Sequence, residues 1–258
     1  MSQWITLLNK EILEMSRNFK WIWVPIVFIL IAVTEPLTAY YMPQIIDSLG
    51  DLPEGAVIEL PVPSAPEVLV ASLNQYNTLG VLVIILTSMG IIAGERKSGV
   101  AGLILVKPVS YAAFVTAKWA GAMLLLWIAY FIGYLVSWYY VVILFEPIAF
   151  SDFIWSFLIY GIWLSFVLTI TVFFNSFLKS PGAVGFISMA VVIVLSLVSS
   201  MFSRWFEWSP SVLPSYVSQF IINQEFPSDA WSAIILSVIG MIILLVGSIA
   251  VFRRRELA

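Results

Sequence analysis

Residues 68–94 read "VLVASLNQYNTLGVLVIILTSMGIIAG", an uninterrupted run without Asp, Glu, Lys or Arg. A helix that crosses a bilayer needs about 20 consecutive, mostly apolar residues. A charged side chain at membrane depth is costly, so a charge-free run of this length is typical of a spanning helix. The stretch therefore predicts that the chain enters a membrane.

The same signal recurs along the chain. Four further charge-free windows follow, and a sixth span, near the N-terminus, holds one charge, Glu35, next to Pro36. The chain is 61% hydrophobic and 10% charged, with a mean hydropathy of +1.02, outside the range of a soluble domain. We expect an all-α integral membrane protein, a single domain over residues 1–258 with six transmembrane helices. The expected spans are approximately 21–42, 72–94, 119–145, 153–178, 181–203 and 230–252.

Composition excludes several kinds of site. The chain has no cysteine and no histidine, so disulfides, thiolate catalysis and histidine-based metal sites are excluded. A GxxxxGK[ST] phosphate-binding loop is absent, so the chain is not expected to hydrolyse ATP alone. An intramembrane protease would need a Ser–His pair, paired aspartates or zinc ligands. We therefore predict no catalytic residue, no metal site and no enzymatic activity of the chain by itself.

The cations are distributed unevenly about the six predicted spans. Eleven fall on one side and only Arg204 falls on the other. By the positive-inside rule, the N-terminus, the stretch between the second and third spans and the C-terminus are expected in the cytoplasm of a multi-pass cell-membrane protein. The eleven are Lys10, Arg17, Lys20, Arg96, Lys97, Lys107, Lys118, Lys179, Arg253, Arg254 and Arg255.

Residues 2–19 have the pattern of an amphipathic helix. We predict that it precedes the spans and lies flat at the inner membrane interface. A helix packed on the protein as a soluble cap is the alternative. The apolar face comprises Trp4, Leu8, Ile12, Met15 and Phe19, and the other face carries Lys10, Glu14 and Arg17.

Glu35 is the one acid inside a predicted span. Acids at membrane depth are candidates for a transport pathway or for proton sensing. A structural role at the outer interface is the alternative, since Glu35 lies in the outer half of its span, where Pro36 can loosen the helix. Arg204 could pair with Glu35 or Glu207, although a plain interfacial anchor is also consistent with its position.

The connection between the second and third spans contains a short apolar run. Residues 94–119 read "GERKSGVAGLILVKPVSYAAFVTAKW", in which 100–106 is far too short to cross a bilayer. An exposed apolar element on a cytoplasmic face needs covering, by a groove on a partner protein or by the lipid interface as a re-entrant loop. Lys118 follows on the next helix, where its long side chain is expected to snorkel towards water.

This stretch resembles the signature of ABC-2 type transporter permeases. In that family the segment commonly carries a Glu with basic residues, Gly-Thr, a Leu-rich turn, Pro-Val-Ser-Arg and then a Lys. Val100 stands where Thr is usual and Tyr111 where Arg is usual. The resemblance implies that residues 95–118 dock the permease onto a separate ATPase subunit. The implied coupling residues are Glu95, Arg96, Lys97, Gly99, Leu103, Ile104, Pro108, Val109, Ser110 and Lys118.

The resemblance extends over the whole chain, from the amphipathic helix to the basic C-terminal tail. It implies a dimer of two copies or two related permease chains in the lipid bilayer, bound to two cytoplasmic ATPase subunits. ATP and Mg would bind to those subunits, no cofactor would bind to this chain, and nucleic acid is not an expected partner. Export is the usual direction of transport in this family. Two alternatives are a stand-alone secondary transporter, for which the sequence shows no inverted pair of broken helices, and a non-transporting membrane anchor.

Overall fold

The computed structural model describes residues 3–48, 63–100, 102 and 109–256. These residues form helices and turns, without a strand. Six helical segments are long and apolar enough to cross a membrane, which confirms the predicted fold class of six spans after an amphipathic N-terminal helix. The α-helices are α1 (Gln3–Arg17), α2 (Lys20–Ser48), α3 (Ala65–Gln75), α4 (Val81–Ser88), α5 (Ala93–Lys97), α6 (Tyr111–Leu144), α7 (Phe150–Phe177), α8 (Pro181–Met201), α9 (Leu213–Asn223) and α10 (Ala230–Glu256).

The first span, α2, is longer than its predicted bounds. It continues to Ser48 with Pro25, Pro36 and Pro43 inside it. Proline removes one helical hydrogen bond, but packing against neighbouring helices can maintain a spanning helix through it. Pro36 therefore does not end the helix beside Glu35.

The second span is built from several pieces. It runs from Ala65 to Lys97 through α3, a π-helical turn at Tyr76–Gly80, α4, a non-helical turn at residues 89–92 and α5. Ser64 caps its start, since its backbone N–H donates to Glu67 Oε2 at 2.8 Å in a capping box. The turn at residues 89–92 interrupts the span near its C-terminal end, just before the predicted coupling segment.

The third span, α6, begins earlier than predicted. Ser110 is its N-cap, and its Oγ accepts a hydrogen bond from the backbone N–H of Ala113 at 3.1 Å. The helix therefore starts at Tyr111 rather than near residue 119. The last eight residues of the predicted coupling segment, 111–118, belong to this helix.

The fourth span lies at the centre of the bundle. Within the 18-residue apolar stretch of each helix, 78% of α7 is buried, whereas only 11% of α10 is. The apolar side chains of α10 face outward. α7 contacts α4, α6, α8, α9 and α10. Between α6 and α7 the core is aromatic: the rings of Tyr130, Tyr134, Phe153 and Phe157 lie against one another.

The amphipathic helix α1 crosses α6 at Gly121. A Cβ atom added to Gly121 would lie 3.3 Å from Glu11 Cβ and 3.4 Å from Met15 Cε, so the two helices approach closely there. The indole N–H of Trp4 donates to Thr116 Oγ1 at 3.0 Å. Phe19 lies beyond the end of α1, in the turn to α2, with a φ of 55°. The helix thus packs on the bundle while Trp4 and other apolar side chains stay exposed.

Candidate functional site

One end of the bundle gathers charged groups from distant parts of the chain. We call it the charged end; it consists of α1, α5, the start of α6 and the ends of α7 and α10. Arg96 connects α5 to the ends of α7 and α10, since its Nη1 donates to the Ser176 carbonyl at 3.2 Å and its guanidinium lies 5.7 Å from the ring centroid of Phe252. The Phe252 ring in turn stacks on Phe114.

At the centre of the charged end lies a buried ion cluster. Lys118 is only 2% exposed, and its Nζ donates to Glu11 Oε1 at 2.8 Å and to Glu95 Oε1 at 2.9 Å. Glu11 and Glu95 are each 8% exposed. These three residues belong to α1, α5 and α6, so one ammonium group joins three elements.

Lys10 and Glu14, both on α1, complete the ion cluster. The Nζ of Lys10 contacts Glu11 at 3.0 Å, Glu14 at 2.9 Å and also Glu95. Burial alone would lower the pKa of Lys10, but its hydrogen bonds to Glu95 and Glu14 outweigh burial and raise that pKa above its ordinary value. Burial alone would raise the pKa of Glu14, and the hydrogen bond from Lys10 outweighs it, so that pKa is lowered. Lys10 and Glu14 are therefore both charged at neutral pH.

The ion cluster does not have the character of a metal site. Carboxylate oxygens of Glu11, Glu14 and Glu95 lie within 4.8 Å of one another, which is close enough to share an ion. However, the ammonium groups of Lys10 and Lys118 already contact Glu11 Oε1 and Glu95 Oε1. The two lysines supply the positive charge that a bound cation would otherwise provide.

Lys118 is therefore placed differently from the prediction. It was expected to snorkel towards water, and instead it is buried and paired with two carboxylates. Glu11 was not predicted to be part of any site. Its spacing from Leu8 and Met15 puts Glu11 on the apolar side of α1. An acid within an apolar stripe is the signal in the sequence that could have indicated a buried cationic partner.

The other predicted coupling residues are spread around this end. Lys97, the last residue of α5, and Gly99, just beyond it, are both exposed, and Gly99 has a φ of 78°, which favours glycine. Val109 and Ser110 lead into α6. The remaining three, Leu103, Ile104 and Pro108, lie outside the described residues. The coupling role of all ten residues stays a prediction.

Asn175 stabilises the interruption of the second span. Its Oδ1 accepts hydrogen bonds from the backbone N–H groups of Ile92 and Ala93, at 3.2 and 3.1 Å. Its Nδ2 donates to the carbonyls of Ser88, at 3.0 Å, and Thr171, at 2.9 Å. Non-helical backbone at membrane depth is tolerated where its polar groups are satisfied inside the protein. Asn175 therefore hydrogen-bonds three backbone groups that lose their regular helical partners at the turn, the N–H groups of Ile92 and Ala93 and the Ser88 carbonyl.

Glu35 lies near the middle of α2, between Lys20 at its start and Ser48 at its end. Its Oε1 accepts a hydrogen bond from the side-chain amide of Gln75 on α3, and it is half-buried. Within the described residues no ion pair joins Arg204 to Glu35 or Glu207. The contact with Gln75 suits a structural role between two helices, while a pathway or sensing role stays a prediction.

Comparison with known proteins gives matches over almost the whole chain. Residues 5–257 match the family described as "ABC-2 family transporter protein". The chain is also similar to "Uncharacterized transmembrane protein YxlG" of Bacillus subtilis (strain 168). The two are 34% identical over 256 residues, which cover 99% of each chain.

Proposed function

The chain belongs to the ABC-2 family of transporter proteins, whose members are the permease subunits of ABC transporters, and on this premise we propose that it is an exporter subunit coupled to a separate ATPase. The ATPase would supply the energy by hydrolysing ATP with Mg. The permease would provide the path across the cell membrane. Catalysis would then reside entirely on the partner.

The observation that carries this proposal is the buried ion cluster. Glu95, at the start of the predicted coupling segment, shares Lys118 with Glu11 of the amphipathic helix. Separating buried, paired charges costs several kcal/mol (~3–5). A force on the segment after Glu95 would therefore be transmitted to α1 and α6 before the cluster separates.

The proposal places the charged end in the cytoplasm. Eleven of the twelve cations in the sequence fall on that side of the predicted topology, as the positive-inside rule requires of a cytoplasmic face. ATP is available there to the partner. We expect two ATPase subunits bound to two permease chains, either two copies of this chain or this chain with a related one.

The test is purification of the tagged full-length chain in mild detergent from its native membranes. We expect a P-loop ATPase to co-elute in stoichiometric amount. Changing Leu103→Asp together with Ile104→Asp should abolish that association and leave membrane insertion intact, because two charges would be placed in an apolar docking segment. Trp205→Asp with Trp208→Asp is the matched control, since it adds the same charges on the other side of the predicted topology.

Each alternative function has its own outcome in this experiment. If no ATPase co-elutes under several mild conditions, the coupled permease is refuted and a secondary transporter using Glu35 becomes the better account. If an ATPase co-elutes equally well with the double Asp variant, the docking assignment of residues 95–110 is wrong. A non-transporting anchor would then explain the association.

A further inference from the structure

A cavity opens beside the ion cluster and extends into the bundle. Its volume is about 300 Å³, at the lower end of the ~300–1,000 Å³ range of small-ligand sites. Residues of α1, α2, α4, the turn at 89–92 and α6 line most of it. The cavity is a feature of a single chain and needs no second copy to form.

The cavity is polar at its mouth and apolar at depth. Glu14, Asn18 and Lys20 line the mouth, and Val24, Phe28 and Leu125 line the deeper part. Phe28 lies eight positions after Lys20 along α2, which corresponds to a depth of about 12 Å at the helical rise per residue. The cavity therefore runs from headgroup level at the charged end into the hydrocarbon region.

Lys20 is the cation at the mouth without an acidic partner. Its Nζ donates one hydrogen bond, to the Thr87 carbonyl at 2.9 Å, and within the described residues no carboxylate lies at ion-pair distance from it. Glu11 and Glu14 are close, but both are already bound by Lys10. Donors of the Lys20 ammonium therefore remain for an anion.

The interrupted second span makes this arrangement possible. In a regular helix the N–H of Ile91 would donate to the Thr87 carbonyl, whereas here it donates to the Ser88 carbonyl at 3.2 Å. The released Thr87 carbonyl holds Lys20 instead. The break thus positions the ammonium group at the mouth of the cavity.

The rim of the cavity reaches the lipid-facing surface. Leu86 lines the cavity and is 50% exposed on a membrane-spanning helix. Such a side chain contacts acyl chains in a bilayer, so an occupant can enter sideways from the adjacent leaflet. An occupant with an acyl chain would match both the apolar interior and this rim.

We propose that this cavity binds an anionic phospholipid from the leaflet at the charged end. The phosphate accepts hydrogen bonds from Lys20, and one acyl chain lies between Val24, Phe28 and Leu125. These charge-assisted hydrogen bonds to the phosphate fix the headgroup, and burial of the acyl chain supplies the remaining affinity. This binding does not depend on the ATPase partner or on the direction of transport.

The experiment is native mass spectrometry of the purified full-length chain titrated with dioleoyl phosphatidylglycerol or dioleoyl phosphatidylcholine. We expect one phosphatidylglycerol retained per chain, with weaker retention of phosphatidylcholine. Lys20→Gln keeps a donor for the Thr87 carbonyl but removes the charge, and should weaken phosphatidylglycerol binding about tenfold. Lys20→Arg should retain it, and Lys179→Gln, an exposed lysine at the same end, is the matched control.

A second variant tests the acyl-chain site. Ala122 lines the cavity, and Ala122→Phe fills its interior without changing the charge. It should also abolish the bound lipid, provided that the variant elutes as a folded protein. Retention of phosphatidylglycerol by folded Ala122→Phe or by Lys20→Gln would overturn the proposal, as would equal binding of the two lipids. Displacement by glycerol phosphate, which lacks acyl chains, would instead identify a site for soluble phosphate and equally overturn it.

Discussion

Lys118 illustrates how one side chain can determine the contacts of several others. Its ammonium donates to two carboxylates that lie 107 and 23 positions away in the sequence. A lysine removed from water has no solvent to stabilise its charge, so the paired carboxylates must do so. Lys118 is therefore expected to matter more for stability than any exposed lysine at the same end.

The first prediction concerns Lys118→Met. It leaves Glu11 and Glu95 buried with only Lys10 as counter-charge, and we expect a loss of about 3 kcal/mol of unfolding free energy, or about 10 °C in Tm. Thermal unfolding in detergent, followed by tryptophan fluorescence, measures the change. Lys179→Met, at an exposed position, should shift Tm by less than about 2 °C. Equal shifts for the two variants would show that the ion cluster contributes nothing to stability.

Among the described residues, Asn175 is the side chain that accepts hydrogen bonds from the backbone N–H groups of Ile92 and Ala93. Asn175→Leu has a similar volume but leaves the N–H groups of Ile92 and Ala93 unpaired, at a cost of about 1–3 kcal/mol for each, whereas the Ser88 carbonyl still accepts from the N–H of Ile91. Hydrogen exchange of the peptide spanning residues 88–97 should become faster, since the turn opens more often. Asn175→Asp, which keeps the acceptor for both N–H groups, should protect these amides better than Asn175→Leu. Unchanged exchange in the Leu variant would contradict this account of the turn.

At the scale of elements, the packing of the spans depends on positions where only a glycine fits. α6 approaches α2 and the π-helical turn at Gly133, where a Cβ atom would lie 2.5 Å from Tyr76 Oη and 2.9 Å from the Phe28 carbonyl oxygen. The Tyr76 hydroxyl donates to that same carbonyl at 2.9 Å. Three spans therefore meet at one hydrogen bond, which stabilises the irregular part of the second span.

The corresponding prediction is that Gly133→Ala destabilises the protein by about 1–3 kcal/mol, because backbone and a buried phenol must both move. Gly182→Ala is the matched control, since nothing lies within 4 Å of a Cβ atom there. Urea or thermal unfolding in the same detergent compares the two. A Gly133→Ala variant as stable as Gly182→Ala would mean that α6 can move away from α2 at little cost.

At the scale of the whole molecule, the ion cluster connects three elements from distant parts of the chain. α1, α5 and α6 share it, and Arg96 extends the contacts to α7 and α10. The energy of such a cluster depends on its members remaining charged. Stability of the entire bundle should therefore depend on pH in a defined direction.

We predict that acid destabilises the protein through Glu14. The pKa of this carboxyl is lowered in the folded state below its ordinary value of 4.5, so its contribution is present above about pH 4.5 and is lost as pH falls further. The pKa of Lys10 is raised above 10.5, so its contribution is present below pH 10.5 and is lost only at higher pH. Tm measured from pH 7 to pH 3.5 should fall less for Glu14→Gln than for the natural protein, and identical curves would contradict the assignment.

Much of the architecture could be predicted because it depends on local composition. Runs without charge determine where spans lie, and the spacing of Leu8, Ile12 and Met15 determines an amphipathic helix, whatever the rest of the chain does. The ends of the spans were less predictable. α6 begins at Tyr111, eight residues before the expected start, because Lys118 finds internal partners and does not interrupt the helix.

The sequence by itself determined that this protein is a six-span membrane protein with a charged connection between its second and third spans. Only the tertiary structure decided that Lys118 pairs with Glu11 and Glu95, and that Asn175 bridges an interruption in the second span. The reason is physical: membrane insertion depends on the apolarity of each segment alone. A buried charge or a released backbone group is stabilised by atoms distant in the chain, and their proximity exists only once the helices have packed.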